Sequence, residues 1–478
     1  MSAPGLIAAE PPVAVFRREK NWGATTSLTI LIAGLLGAGY AVTMPPFQFN
    51  DEHAHFARSY QISRGEFAGH PDPKIPSAIL MSLLRYPEGF ESRSAPRTSA
   101  TDLFAGGGGE SGPAEPIGNV RGLRFFSHGV LACQVYWTAC YLPASAGIRI
   151  VRLLNMTPVA MLYAARLMNL LSFLAAVAVA LMLAPNFRAL ITAVALMPMT
   201  LQQAVAVSAD QMTIALSLVG FALILHAREH PVSRRYLAMV FVTVPLWALC
   251  KNSLWALPLL LLIPRTQFRD KRRRLIFLLA VTVVTITGTF AWRTITSDAF
   301  AQYAAADLSR GVDFYANARI LANHPLAVFE DLVVFAGPGA SIPGLIRQFV
   351  GTFGWDFHPL PLTFAYVELL LVVGCIERNP KPFTIGERTI LFITFAAALI
   401  QVYAMLFVID GAWQAGHYGF RAAGVQGRYL IPFCLAGFLP LRQNAITVPS
   451  RILAPAVLFA STLYALLSLV IIGGFFYP

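Results

Sequence analysis

Three short runs of this chain carry polar residues whose types and spacing could do chemistry. The first is Pro45-Pro46-Phe47-Gln48-Phe49-Asn50-Asp51-Glu52-His53-Ala54-His55-Phe56-Ala57-Arg58. The prolines end an apolar stretch, and Asn50 or Asp51 suits the cap of a following helix. Asp51 and His55, four apart, share one face of that helix, while Phe56 and Tyr60 share a face able to bury at a bilayer interface. An acid pair held there could be a general base or could bind a divalent ion. It could equally be an ordinary helix start, where acids favour the positive dipole end. The second run is Val207-Ser208-Ala209-Asp210-Gln211, a carboxylate in a short turn that would also serve as a plain N-cap. The third is Gly424-Val425-Gln426-Gly427-Arg428-Tyr429-Leu430-Ile431-Pro432. An arginine there suits an anionic group such as phosphate, which its planar fork matches. Lys251, Arg421 and Arg319 are further cations that could join it. Arg166 and Asn169 could pair with an acid across a helix bundle, and Glu368 sits within an apolar run without an obvious partner. No Walker loop, dinucleotide fingerprint, nucleophile elbow or zinc spacing occurs, and His53 with His55 alone does not make a metal site.

The elements that must position these residues are membrane helices. Apolar residues make up 56% of the 478-residue chain and charged residues 13%, and the mean hydropathy is +0.61. A soluble domain carries about 25% charged residues, so this chain could not cover a surface facing water. The apolar runs are long and continuous, which selects helices over a barrel. At about 20 residues per crossing, the expectation is an all-α polytopic protein of about eleven transmembrane helices. They fall near 25–45, 159–183, 188–206, 211–227, 235–250, 252–264, 274–293, 359–376, 388–408, 428–441 and 452–474. Residues 1–24 form a tail and 25–478 a single transmembrane domain, with a large first outer loop (46–158) and a second (294–358). The first loop should carry interfacial helices at Asp51 to Phe67 and Tyr136 to Leu154, joined by a Gly/Ser/Pro-rich linker from Glu91 to Gly118.

The net charge of +12 reads as a topology signal and an attraction to anionic headgroups, not as a nucleic-acid surface. The densest basic run, Arg265 to Arg274, and the other basic loops fall on one side when the count is eleven. That side is then cytoplasmic, with the N-terminus inside, the C-terminus outside, and all three polar runs at the outer face. The parity needs a break in 235–264, and Pro245, Lys251, Asn252 and Pro258 supply one, as two short helices meeting near Lys251. Cys133 and Cys140, about 10.5 Å apart on a straight helix, are expected to be free thiols. Cys250, Cys375 and Cys434 read as small core residues.

The ordered set of motifs resembles the GT-C superfamily of membrane glycosyltransferases, which includes oligosaccharyltransferases, protein mannosyltransferases and aminoarabinose transferases. More closely, it resembles an uncharacterised predicted-membrane-protein family commonly grouped with them. The likeness rests on Pro46-Phe47 with Asp51-Glu52 and His55, Arg166-Leu167 with Asn169, Pro198-Met199-Thr200 with Ser208 and Asp210, and Gln426-Gly427-Arg428-Tyr429 with Pro432. Asn50 departs from the family's usual proline before the acid pair. The resemblance implies a GT-C-like fold and an inverting transfer from a polyprenyl-phosphate sugar to a glycan, lipid or protein acceptor, on the outer face of a bacterial inner membrane. Asp51, Glu52 and Asp210 would be catalytic, with Asp51 as base; His55, Arg166, Lys251, Gln426, Arg428 and Tyr429 would bind substrate. Some GT-C enzymes need a divalent ion (Mg or Mn), which Asp51, Glu52 and Asp210 would hold here; others do not. The rival readings are a transporter or flippase of lipid-linked glycan, and a polysaccharide polymerase or ligase. The former would show symmetric repeats and helices broken within the membrane.

Overall fold

In a bilayer the backbone must satisfy its own polar groups, so long apolar runs become helices. The computed structural model describes residues 23–71, 74–76, 79, 114–116, 124–309, 311–326, 342–353, 358–411 and 424–477. In chain order its first helices are α1 (Ala24–Thr43), α2 (Glu52–Ser63), α3 (Arg124–Gln134), α4 (Leu142–Leu153) and α5 (Pro158–Leu183). Next come α6 (Arg188–Leu196), α7 (Pro198–Val205), α8 (Ala209–Glu229), α9 (Arg234–Leu249) and α10 (Lys271–Ile295). They are succeeded by α11 (Ser297–Leu308), α12 (Phe314–Asn323), α13 (Ile342–Val350), α14 (Thr363–Ile376), α15 (Ile385–Leu406), α16 (Cys434–Phe438) and α17 (Ser450–Phe476). Two short antiparallel pairs add β1 (Lys74–Pro76) with β2 (Ala114–Pro116), and β3 (Thr352–Phe353) with β4 (His358–Pro359).

The helix starts are written in the sequence. Thr157, Ser233 and Asp270 each accept a backbone N–H of the first turn of α5, α9 and α10, and Thr384 with Glu387 forms a capping box on α15. Among the described residues, six helices are long and apolar enough to cross a membrane: α1, α5, α8, α10, α15 and α17. Of these α8 is central, 83% buried, and α10 peripheral, 11% buried. α14 and the stretch Gly427–Leu441 are shorter apolar helices. The chain is thus a helical membrane protein.

The remaining expected crossings take other forms. The run 188–206 is not one helix: it breaks into α6 and α7 at Met197, whose backbone is extended (ψ 132°). Pro198 disfavours a helical residue before it, yet fits the first turn of the next helix. Both pieces are buried inside the bundle, where an irregular backbone is tolerated. The break near Lys251 is present. α9 ends at Leu249, and Lys251 and Asn252 both adopt left-handed conformations (φ 50° and 52°). The next segment, Leu254–Leu262, is a 3-10 spiral rather than a second α-helix. Pro258 within it cannot donate and disfavours the α conformation in the residue before it.

The first loop also differs from its expected form. α2 does not lie half-buried at an interface: every residue from Glu52 to Ser63 is buried. Its polar side chains find protein partners instead of water. Arg58 donates to the carbonyls of Glu66 and Phe67 (3.1 and 2.7 Å), and Gln134 donates to Gln61 (2.9 Å). Phe56 and Tyr60 pack with Phe47, Val130, Ile148 and Leu162 rather than into lipid. Cys133 and Cys140 sit in different elements, α3 and the 3-10 turn Thr138–Tyr141, and all five cysteines are free. Most of the Gly/Ser/Pro-rich linker and the tail 1–22 lie outside the described residues.

α5 packs on α1, α4 and α8, and α17 packs on α1 and α6. The C-terminus of α1 and the N-termini of α5 and α8 meet at one end of the bundle. The opposite end is tied by buried ion pairs. Glu377, just past α14, accepts the N–H groups of Ala189 and Leu190 (2.8 and 3.2 Å), the Ser450 hydroxyl (2.7 Å) and Arg442 (2.6 Å). One carboxylate so fixes the starts of α6 and α17. Arg228 donates to Glu387 (2.7 Å) and to the carbonyls of Lys381 and Pro382 (2.8 and 2.7 Å).

Candidate functional site

The three polar runs meet at the end of the bundle that holds the start of α8. Asp51 precedes α2 in a left-handed conformation (φ 56°), Asp210 lies in the first turn of α8, Lys251 occupies the break after α9, and Arg428 opens the 3-10 segment Gly427–Phe433. Arg428 lies between the two acids, 3.5 Å from Asp51 (Nη2 to Oδ2) and 3.5 Å from Asp210 (Nε to Oδ2). The Lys251 ammonium is 2.5 Å from the other Asp210 oxygen. Tyr429 backs both cations, with the Lys251 nitrogen 4.6 Å and the Arg428 guanidinium carbon 5.2 Å from its ring centre. The Tyr136 ring also lies near Lys251, at 5.8 Å. Two carboxylates and two cations therefore alternate along one short path.

The surroundings of the acids differ. Asp210 is 6% exposed and shared between two cations, whereas the Asp51 side chain is 47% exposed. Asp51 is the carboxylate that an incoming molecule can reach. Six non-glycine residues with positive φ occur among those described, and Asp51, Lys251, Phe47 and Asn252 are four of them. Left-handed backbone costs an ordinary residue about 1–2 kcal/mol, and such strain collects where function over-determines the geometry.

His55 stands behind this cluster. It is buried, with Nδ1 2.8 Å from the Tyr141 hydroxyl and 3.3 Å from the Cys133 sulfur. Burial, and then the Lys251 ammonium, push its pKa down to about 3, so its ring is neutral. Burial also drives the thiol of Cys133 and the hydroxyls of Tyr136 and Tyr141 upward. These four side chains are thus uncharged behind the cluster.

Glu52 and Arg166, expected as a catalytic acid and a substrate ligand, form the ion pair across the bundle that is the other expectation for Arg166. Both side chains are fully buried and paired with each other at 2.5 Å. The first turn of α2 directs Glu52 back into the bundle, where the Arg166 fork and two backbone N–H groups receive it. An expected ion site made from Asp51, Glu52 and Asp210 loses its third member thereby, and among the described residues no three His, Cys, Asp or Glu side chains converge. Gln426 precedes the Arg428 segment, and its side-chain oxygen is buried without a hydrogen-bond partner among the described residues. Gly427 is required by close approach: a Cβ there would fall 2.0 Å from the Leu345 carbonyl on α13. Its N–H is held by Gln348 (2.9 Å). Asn169 donates to the Ala206 carbonyl (2.8 Å) and steadies the turn that leads to Asp210. Arg319 is exposed on α12, Glu368 is exposed on α14, and neither joins the cluster's contacts; Arg421 lies outside the described residues.

Tyr136, Tyr141 and Cys133 escape a reading of the sequence. They lie in a stretch notable only for its amphipathic pattern, and no spacing links them to Asp51. Lys251 is legible because a lysine with Asn252 interrupts an apolar run.

No curated protein matches this chain, and no solved structure matches it. The family that does match, over residues 35–436, spans the entire cluster from Asp51 to Arg428. The chain belongs to DUF2142, a family of predicted membrane proteins.

Proposed function

We propose that this protein is a membrane glycosyltransferase of the GT-C kind, moving a sugar from a polyprenyl-phosphate donor to an acceptor hydroxyl with inversion. The observation that carries it is the half-exposed Asp51 carboxylate set against the Arg428 guanidinium, with Lys251 held beside them by Asp210. Asp51 takes the proton of the acceptor hydroxyl as its oxygen attacks the anomeric carbon. The bond from that carbon to the phosphate oxygen breaks, and polyprenyl phosphate leaves with the electron pair. Arg428 and Lys251 stabilise the charge that develops on the departing phosphate. Asp210 is a positioning residue that keeps both cations aimed. Tyr429, whose ring lies against both cations, and Gln426, next to the Arg428 segment, complete the substrate-binding set.

The donor set does not suit a divalent ion. Mg and Mn take about six oxygen ligands, and here the two carboxylates already face a guanidinium and an ammonium. The cations of the chain itself supply the charge stabilisation. In this reading the site end of the bundle faces away from the cytoplasm in a bacterial inner membrane. The acceptor is a glycan, lipid or protein, and the donor tail lies in the surrounding lipid. A transporter of lipid-linked glycan is the second reading, favoured by the break at Met197 inside the bundle.

The test is transfer by the purified protein in lipid discs from a panel of radiolabelled polyprenyl-phosphate sugars, with the anomeric configuration of the product determined. A product of inverted configuration is expected. Absence of transfer, together with movement of lipid-linked glycan across vesicles holding the protein, would replace this reading with the transporter.

A further inference from the structure

Outside the four charged residues, the most heavily bonded side chains at this end of the molecule are Glu52 and Arg166. Each Glu52 oxygen accepts one Arg166 nitrogen and one backbone N–H. Oε2 takes Arg166 Nη2 (2.5 Å) and the Phe47 N–H (3.1 Å). Oε1 takes Arg166 Nε (2.9 Å) and the Val207 N–H (3.3 Å). Arg166 spends its remaining N–H groups on the carbonyls that end α1: Ala41 and Met44 (each 2.8 Å) and Pro45 (3.0 Å). All five donors of the guanidinium are used. Phe47 belongs to the turn that delivers Asp51, and Val207 to the turn that delivers Asp210.

We propose that the Glu52–Arg166 pair is the positioning element of the site, a single carboxylate that sets the Asp51 turn and the Asp210 turn against each other. The inference rests on the Asp51–Arg428–Asp210 cluster being the site of transfer, as proposed above. A buried ion pair is by itself a poor device for stability, and apolar replacements of the same volume are often neutral. What an apolar pair cannot reproduce is a bidentate, two-oxygen register between separate turns. Asp51 and Asp210 share Arg428 across 3.5 Å contacts on both sides, so a small relative shift of the turns separates base from cation. A misplacement of about 1 Å can cost 10²-fold in rate. Arg166 and Asn169 both project from α5, and Asn169 holds the Ala206 carbonyl (2.8 Å). The rigid helix α5 is thus the ruler from which both turns are measured.

Two variants of the full chain in lipid discs test this. Glu52→Asp keeps the charge pair but is one methylene too short to serve both turns. Glu52→Gln with Arg166→Met removes both charges and so avoids a lone buried ion. Amide hydrogen exchange is followed by mass spectrometry, alongside thermal unfolding and the transfer assay. The expected result is exchange at least tenfold faster in the segments 44–51 and 205–211 together, in both variants, with the segment 377–390 unchanged. In Glu52→Asp, kcat should fall at least tenfold while the donor KM stays within threefold. The double variant should approach native unfolding temperature yet remain inactive. Release of neither segment, or of only one, overturns the proposal, as does recovery of transfer along with stability in the double variant. If the native protein transfers no sugar, the transferase reading fails, and the exchange pattern still decides whether the pair holds both turns.

Discussion

Asp51 and Asp210 both face Arg428, and their surroundings separate their roles. Among the described residues, Asp51 is reachable and has one cationic neighbour, whereas Asp210 is buried with two. Replacing Asp210 by Asn should therefore damage the fold as well as the chemistry, since leaving a buried charge unpaired costs about 3–5 kcal/mol. Thermal unfolding of Asp210→Asn checks this, with a clear drop expected and none for Asp51→Asn. His55 gives a pH dependence whose sign is set by burial. Unfolded, the ring takes a proton near its ordinary value of 6.5, whereas folded it resists protonation down to about 3. Below 6.5 the unfolded chain binds more protons, so stability is full above that pH and falls as the pH drops towards 3. The slope is at most about 1.4 kcal/mol per pH unit. Unfolding measured from pH 7.5 to 5 should show this loss, and His55→Gln should flatten it. The acids, Lys251 and Arg428 are legible as residues because charge in an apolar chain is rare. That Glu52 turns inward while Asp51 stays outside is not, since neighbours on a helix start look alike until the bundle is built.

At the scale of elements, the site depends on places where helices stop. Two of its residues lie in left-handed backbone, and a third is carried by a 3-10 segment seated on α13 through Gly427. Gly427→Ala would force backbone against backbone, so the Arg428 segment must move. Transfer is expected to fall at least tenfold, with a lowered unfolding temperature as the accompanying measurement. Leu362 is the contrasting case: it starts α14 in left-handed backbone, exposed. Leu362→Gly should raise stability by about 1 kcal/mol, read from denaturant unfolding, and leave transfer unchanged. The break after α9 is legible because Lys251, Asn252 and Pro258 interrupt apolar residues. The break at Met197 is hidden, since the hydropathy of 188–206 is unbroken and only Pro198 marks it. The enclosure of α2 is not legible either, because an amphipathic pattern fits a lipid interface and a protein groove equally well.

For the whole molecule, composition alone establishes a helical membrane protein. Hydropathy does not show which runs cross as long helices and which fold back as broken ones inside the bundle. The two ends are built differently. The far end is locked by Glu377 with Arg442 and by Arg228 with Glu387, whereas the site end presents a half-open carboxylate and strained turns. Glu377→Gln should accordingly cost stability on the order of 3–5 kcal/mol, read as a lowered unfolding temperature, without touching the site residues directly. Both α1 and α17 begin at the locked end, beside Arg188 and Glu377 respectively. The proposed orientation, with the site end away from the cytoplasm, is checked by an impermeant thiol reagent: a cysteine placed after α17 should be accessible from outside, and one placed before α1 protected.

The measurement that bears most directly on the central claim compares native protein with Asp51→Asn in the sugar-transfer assay, at equal expression and equal unfolding temperature. General-base catalysis contributes about 10²–10⁴-fold, so Asp51→Asn should lose transfer by at least about 100-fold while still binding polyprenyl phosphate. Equal transfer by both proteins would contradict the account and move the base elsewhere.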